Sequence, residues 1–149
     1  MFQGPTPYSP TPTRSDVVES ARRLAGTPFR HQGRSDLGLD CVGLVILVGR
    51  RLGLIDYDVT AYAKRTNGHE FMSHFRRAGL LERPWRERRQ GDVVLMHDCF
   101  FPCHTAIMTE VEPDRIIHAF AQRRKVVEEP YTDHWHKRLI GCFSYPGLD

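Results

Sequence analysis

Asp40-Cys41-Val42-Gly43-Leu44-Val45-Ile46-Leu47-Val48 puts a single thiol at the head of a run that is apolar on nearly every side. Such a run reads as a buried helix from Cys41 to about Leu52, with Gly43 and Gly49 admitting close neighbours at some cost in helix propensity. Asp40 reads as the N-cap, accepting hydrogen bonds from free N–H groups of the first turn. Cys41 then lies where unpaired N–H groups and the positive dipole end favour a thiolate. The Asp40 charge works against that anion, so a neighbouring imidazole is still required. Two histidines answer downstream. His104-Thr105-Ala106-Ile107-Met108 alternates like a half-buried strand, and Ile116-Ile117-His118-Ala119-Phe120 reads as its hairpin partner after the turn Glu112-Pro113-Asp114. Adjacent antiparallel strands can bring His104 and His118 side by side. One thiol at a helix start and two imidazoles on later strands form the layout of a cysteine hydrolase.

Working outward, Asp16 with Glu19 three residues on reads as a capping box. Val17, Ala21, Leu24 and Ala25 then recur at helical spacing until Gly26. A third helix is expected over 70–77. Gly91-Asp92 turns the chain into strands near 93–96, 104–110, 115–120, 125–127 and 139–143. Helices first and a mostly antiparallel sheet of about five strands afterwards describe an α+β domain. The Pro/Thr-rich segment 1–13 has little to bury and reads as an extended arm, leaving 14–149 as one domain.

Composition bounds the function without choosing it. At 149 residues and 40% hydrophobic the chain can build one real core. A net charge of +3 suits an anionic envelope and is too small to argue for nucleic acid. Arg86-Glu87-Arg88-Arg89 and Arg123-Arg124-Lys125 read as solvated turns. The first residues lack the basic start and apolar stretch of a secretory signal, and no segment is long and uncharged enough to span a bilayer.

A rival chemistry sits in His97-Asp98-Cys99-Phe100-Phe101-Pro102-Cys103-His104, where two thiols and two imidazoles crowd together. Thiolates and imidazoles are zinc ligands, and the Cys-x3-Cys spacing falls within the range of structural sites. Against zinc, no second ligand pair lies at a finger-like distance. Cys99 and Cys103 could instead form a small disulfide or remain reduced. Cys142 reads as core, and His134 and His136, flanking Trp135 at strand-like alternation, read as surface residues.

Five segments in order carry a resemblance: Gly26-Thr27-Pro28-Phe29-Arg30-His31-Gln32-Gly33; Leu39-Asp40-Cys41-Val42-Gly43-Leu44; Gly91-Asp92-Val93-Val94-Leu95-Met96; His104-Thr105-Ala106-Ile107; and Ile117-His118-Ala119. Together they resemble the NlpC-type (NlpC/p-sixty) cell-wall cysteine peptidases, over roughly Asp16 to Gly147. The closing segment, from Val126-Val127-Glu128-Glu129-Pro130 through Trp135 to Phe143-Ser144-Tyr145-Pro146, is similar to the compact phage-tail and gene-transfer-particle members. The resemblance implies a papain-like core and hydrolysis of a peptidoglycan stem peptide, typically between D-glutamate and a diamino acid. It implies Cys41 as nucleophile, His104 as general base and later acid, and His118 as the residue orienting that imidazole, with no metal or organic cofactor. It further implies peptidoglycan stem peptides as substrate, phage-like tail proteins as partners, and carriage by a particle to the periplasmic wall.

Two positions depart from the family pattern. Phe29 stands where many members carry Tyr, and Val42 where many carry Ser after the nucleophile. Of the amine-pocket set only Asp40 remains, which favours cleavage within an intact cross-linked wall. Gln32 is a candidate side-chain donor near the oxyanion, so Asp40, Phe29 and Gln32 form the expected substrate-binding set. Two other classes stay open at this stage: another papain-like acyl chemistry, such as a wall amidase or acyltransferase, and a tail-tip structural protein whose site is dispensable.

Overall fold

A computed structural model of the chain describes residues 11–58, 68–98 and 103–148. Helix α1 (Arg14–Arg22) leads into the short hairpin β1 (Arg34–Ser35) and β2 (Gly38–Leu39), then α2 (Cys41–Arg51) and α3 (Gly68–Arg77). The strands β3 (Leu81–Arg83), β4 (Val93–Met96), β5 (His104–Glu110), β6 (Arg115–Phe120) and β7 (Lys125–Pro130) follow, then the single-turn helix α4 (Asp133–His136) and β8 (Leu139–Ser144). The main sheet is antiparallel, in the order β3-β8-β4-β5-β6-β7. This is the expected α+β architecture with six strands in place of about five.

Strand alternation divides the interior into two clusters. Val93, Leu95, Ile107, Ile117, Ala119 and Phe143 face α1, α2 and α3, where Val17, Ala21, Leu44, Val45 and Val48 are buried. Val94, Met96, Ala106, Met108, Ile116 and Phe120 form the second cluster with Trp135 from α4. Tyr145 is fully buried and donates its hydroxyl hydrogen to the Val45 carbonyl at 2.6 Å, tying the end of the chain to the central helix. The other anchor is ionic. Arg14 reaches Asp92 at 2.6 Å with both side chains buried, and the Ser144 hydroxyl donates to the same carboxylate.

Three local expectations change. The capping box lies three residues earlier: Thr13 is the N-cap of α1 and exchanges hydrogen bonds with Asp16. Both Thr13–Asp16 and Asp16–Glu19 fit the same pattern, and the upstream pair wins because it lets Arg14 enter the helix and reach Asp92. The edge strand β3 was not expected, since Leu81-Glu82-Arg83 is short and polar and gains its identity from pairing with β8. Trp135 with its flanking histidines forms a helical turn, its ring buried and both imidazoles exposed. Residues 1–10 of the expected arm lie outside the described residues.

Candidate active site

Cys41 is the first residue of α2, and the loop before it is built to hold that start in place. Asp40, 3% exposed, accepts from the Gly43 N–H at 2.7 Å and the Gln32 N–H at 2.8 Å, with Arg34 Nη1 at 3.3 Å and His31 Nδ1 at 3.9 Å. Gly43 is required for the approach: a Cβ there would lie 2.1 Å from the Gly33 carbonyl oxygen. Gln32 turns the loop through a left-handed backbone (φ 60°) and is exposed, while Phe29 packs half-buried against the core and bridges to Leu39.

The thiol is neutral at rest. Burial pushes its pKa up to about 12, and the Asp40 carboxylate adds to the rise. The Thr105 backbone and hydroxyl and the Val42 N–H act the other way and are outweighed. The helix terminus alone therefore does not generate a thiolate. Cys41 as a residue keeps partial exposure, while its thiol is buried against Thr105.

Thr105 and Ile107 face α2, whereas His104 with Ala106 and Met108 faces the second cluster. Ile107 pairs with Ile117, and continuing that register sets His118 diagonally across from His104. The two rings meet with His104 Nε2 2.7 Å from His118 Nδ1. Both are buried, at 3% and 0% exposure. Trp135 stacks on His104 at 5.1 Å between ring centroids, and Phe120 stacks on His118 at 4.9 Å. Burial, with a smaller contribution from His118, holds the His104 pKa well below the usual imidazole value. Among the described residues no hydrogen bond joins the thiol to either ring, and the sulfur's neighbour on β5 is Thr105, next to His104.

Sequence reasoning missed two residues here. Glu129 on β7 lies 2.8 Å from His118 Nε2 through its Oε1 atom. His118 pairs with Val127, so Glu129 is its diagonal neighbour, visible only once the register is known. Trp135 reaches His104 because α4 turns the chain back over the sheet. Of the rival cluster, His104 is committed to His118, Cys103 is a buried free thiol whose pKa burial pushes up to about 12, and Cys99 lies outside the described residues. Among the described residues no group of three His, Cys, Asp or Glu side chains could hold a metal ion, and no helix is long and apolar enough to cross a membrane.

The NlpC/P60 family profile matches residues 26–144. A Bacillus cereus NlpC/P60 family protein shares the fold with a TM-score of 0.68 and 19% identity, over 91% of this chain and 41% of that one. A Staphylococcus aureus protein described as similar to an NLP/P60 family lipoprotein gives 0.61 and 20%, over 97% and 45%. The NlpC/p60 domain of the peptidoglycan hydrolase SagA gives 0.62 and 18%, over 88% of this chain and 97% of that domain. The chain thus spans less than half the length of the Bacillus and Staphylococcus proteins, and matches the SagA domain nearly end to end. Among curated proteins no sequence matches. With most of its length inside the matched span and these neighbours sharing its fold, the chain belongs to the NlpC/P60 family.

Proposed function

We propose that the protein is a cysteine peptidase that hydrolyses an amide bond in the stem peptides of peptidoglycan, between D-glutamate and a diamino acid. The observation that carries this reading is the 2.7 Å contact between His104 Nε2 and His118 Nδ1. It occupies Nε2 of His104, and Nδ1, the remaining ring nitrogen, is the atom we assign to receive the thiol proton; His104 adjoins in sequence Thr105, the residue of β5 that bonds the sulfur. Family membership and the likeness to a domain named for peptidoglycan hydrolysis support the substrate class.

The chemistry starts from a neutral pair. On substrate binding the Cys41 S–H bond breaks, the proton passes to His104 Nδ1, and the sulfur attacks the amide carbonyl with the electron pair left behind. Such contacts are often long without substrate and tighten in the Michaelis complex. The Cys41 backbone N–H, at a helix start, is a donor for the oxyanion. The His104 imidazolium then protonates the leaving amine, and water activated by the same ring clears the thioester. Support for an intact cross-linked substrate comes from Asp40, whose carboxylate is already held by Gly43, Gln32 and Arg34. Delivery on a phage-like tail to the periplasmic wall rests on the closing segment's resemblance to compact tail members.

Purified sacculi incubated with the protein and analysed by mass spectrometry test this directly. The expected product carries a new amino terminus on the diamino acid, absent with Cys41→Ala. Release of intact stems from muramic acid would replace the endopeptidase by an amidase, and full activity of Cys41→Ala would reject the assignment.

A further inference from the structure

We propose that Glu129 is a positioning residue that sets the tautomers of His118 and His104, so that the His104 nitrogen left for Cys41 carries a lone pair. The inference rests on the role of Cys41 and His104 proposed above. A carboxylate only accepts hydrogen bonds, so the 2.8 Å contact requires a proton on His118 Nε2. A neutral imidazole has one N–H, which makes His118 Nδ1 an acceptor. The 2.7 Å contact then requires His104 Nε2 to donate, and neutral His104 is left with its lone pair on Nδ1. Reversing Glu129 from acceptor to donor would reverse both rings and present the thiol with an N–H, which cannot take its proton.

The surroundings favour this direction. Glu129 remains ionised because the His118 hydrogen bond holds its carboxyl below the usual range, with Arg123 Nη2 at 3.6 Å. It is 22% exposed, at a surface cavity of about 290 Å³ shared with Phe120, Gln122 and His134. The histidine end is dry and stacked between Trp135 and Phe120. The charge thus enters from the wet side and is relayed inward as a choice of proton position. When His104 takes the thiol proton, the positive charge is shared along a chain that ends on an anion.

The test uses ring-nitrogen chemical shifts of the 15N-histidine-labelled full chain at neutral pH, with sacculus digestion in parallel. The wild type is expected to hold both His104 and His118 as single Nε2–H tautomers. In Glu129→Gln and in Glu129→Ala the Nδ1–H form should appear in both rings together, with kcat down roughly 10²-fold and KM within about twofold, the pattern of a mis-set tautomer. Wild-type rings protonated on Nδ1, or tautomers unchanged in both variants, overturn the proposal. A merely structural role would lower stability and leave the tautomers alone. If the tautomers switch but the wild type does not cut sacculi, the proposed activity falls and the tautomer control stands.

Discussion

Gly43→Ala opposes two effects of known size. Alanine in a helix interior is worth about 1 kcal/mol more than glycine, so propensity alone predicts a more stable protein. The packing says otherwise. The new Cβ would lie 2.1 Å from the Gly33 carbonyl oxygen, 2.9 Å from Arg34 Nη1 and 3.0 Å from Asp40 Oδ1. A carbon and a backbone oxygen need roughly 1 Å more than that first distance, and Gly33 cannot retreat freely: its own missing side chain faces the Gly38 carbonyl at 2.3 Å. Overpacking of this kind costs about 1–3 kcal/mol, and a strained Asp40 cap adds about 1 kcal/mol. After subtracting the propensity gain, the expected net loss is about 2 kcal/mol. For a chain of this size that corresponds to a fall in Tm of about 4–8 °C. Thermal unfolding followed by circular dichroism, with a urea titration for the free energy, measures it. A variant as stable as the wild type, or more so, would show that the hairpin yields and that the close approach does not fix the head of α2.

Arg14→Met should cost about 3–5 kcal/mol in urea unfolding, because it strands the buried Asp92 carboxylate; adding Asp92→Asn should recover part of that loss. Acid should destabilise the protein through His104. Its folded pKa lies below the unfolded value of 6.5, so its contribution is complete above 6.5 and is lost as pH falls below it, by about 1.4 kcal/mol per unit until the folded value is reached. A stability curve measured from pH 7.5 to 5 should lose that part of its slope in His104→Gln. Chelators should leave sacculus digestion unchanged; inhibition reversed by added zinc would return the cluster around Cys103 to consideration.

How much of this was legible in the chain follows from how local each signal is. The head of α2 could be read because Asp40, Cys41 and the apolar run are contiguous, and the observed helix ends within a residue of expectation. The strands carrying His104 and His118 could be read from alternation, and their turn placed them as neighbours. The cap of α1 was misplaced because two capping-box patterns, Thr13–Asp16 and Asp16–Glu19, overlap and only a distant partner, Asp92, separates them. Glu129 was out of reach for a stronger reason: its contact with His118 is a diagonal across β6 and β7, and nothing in either segment states the register. The surface reading of His134 and His136 holds, but the helical turn that buries Trp135 was not legible, because alternation over three residues does not distinguish a strand from one turn of helix.

A sulfur that rests protonated, with Asp40 beside it and its inner side packed against β5, has a consequence for chemical endurance. Peroxides, alkylating agents and foreign disulfides attack the anion, so the idle protein should withstand oxidants that inactivate enzymes with a standing thiolate. On the mechanism proposed above, reactivity is created when a substrate arrives and the ring takes the proton. A nucleophile of that kind would be stored in a safe form and spent only on contact.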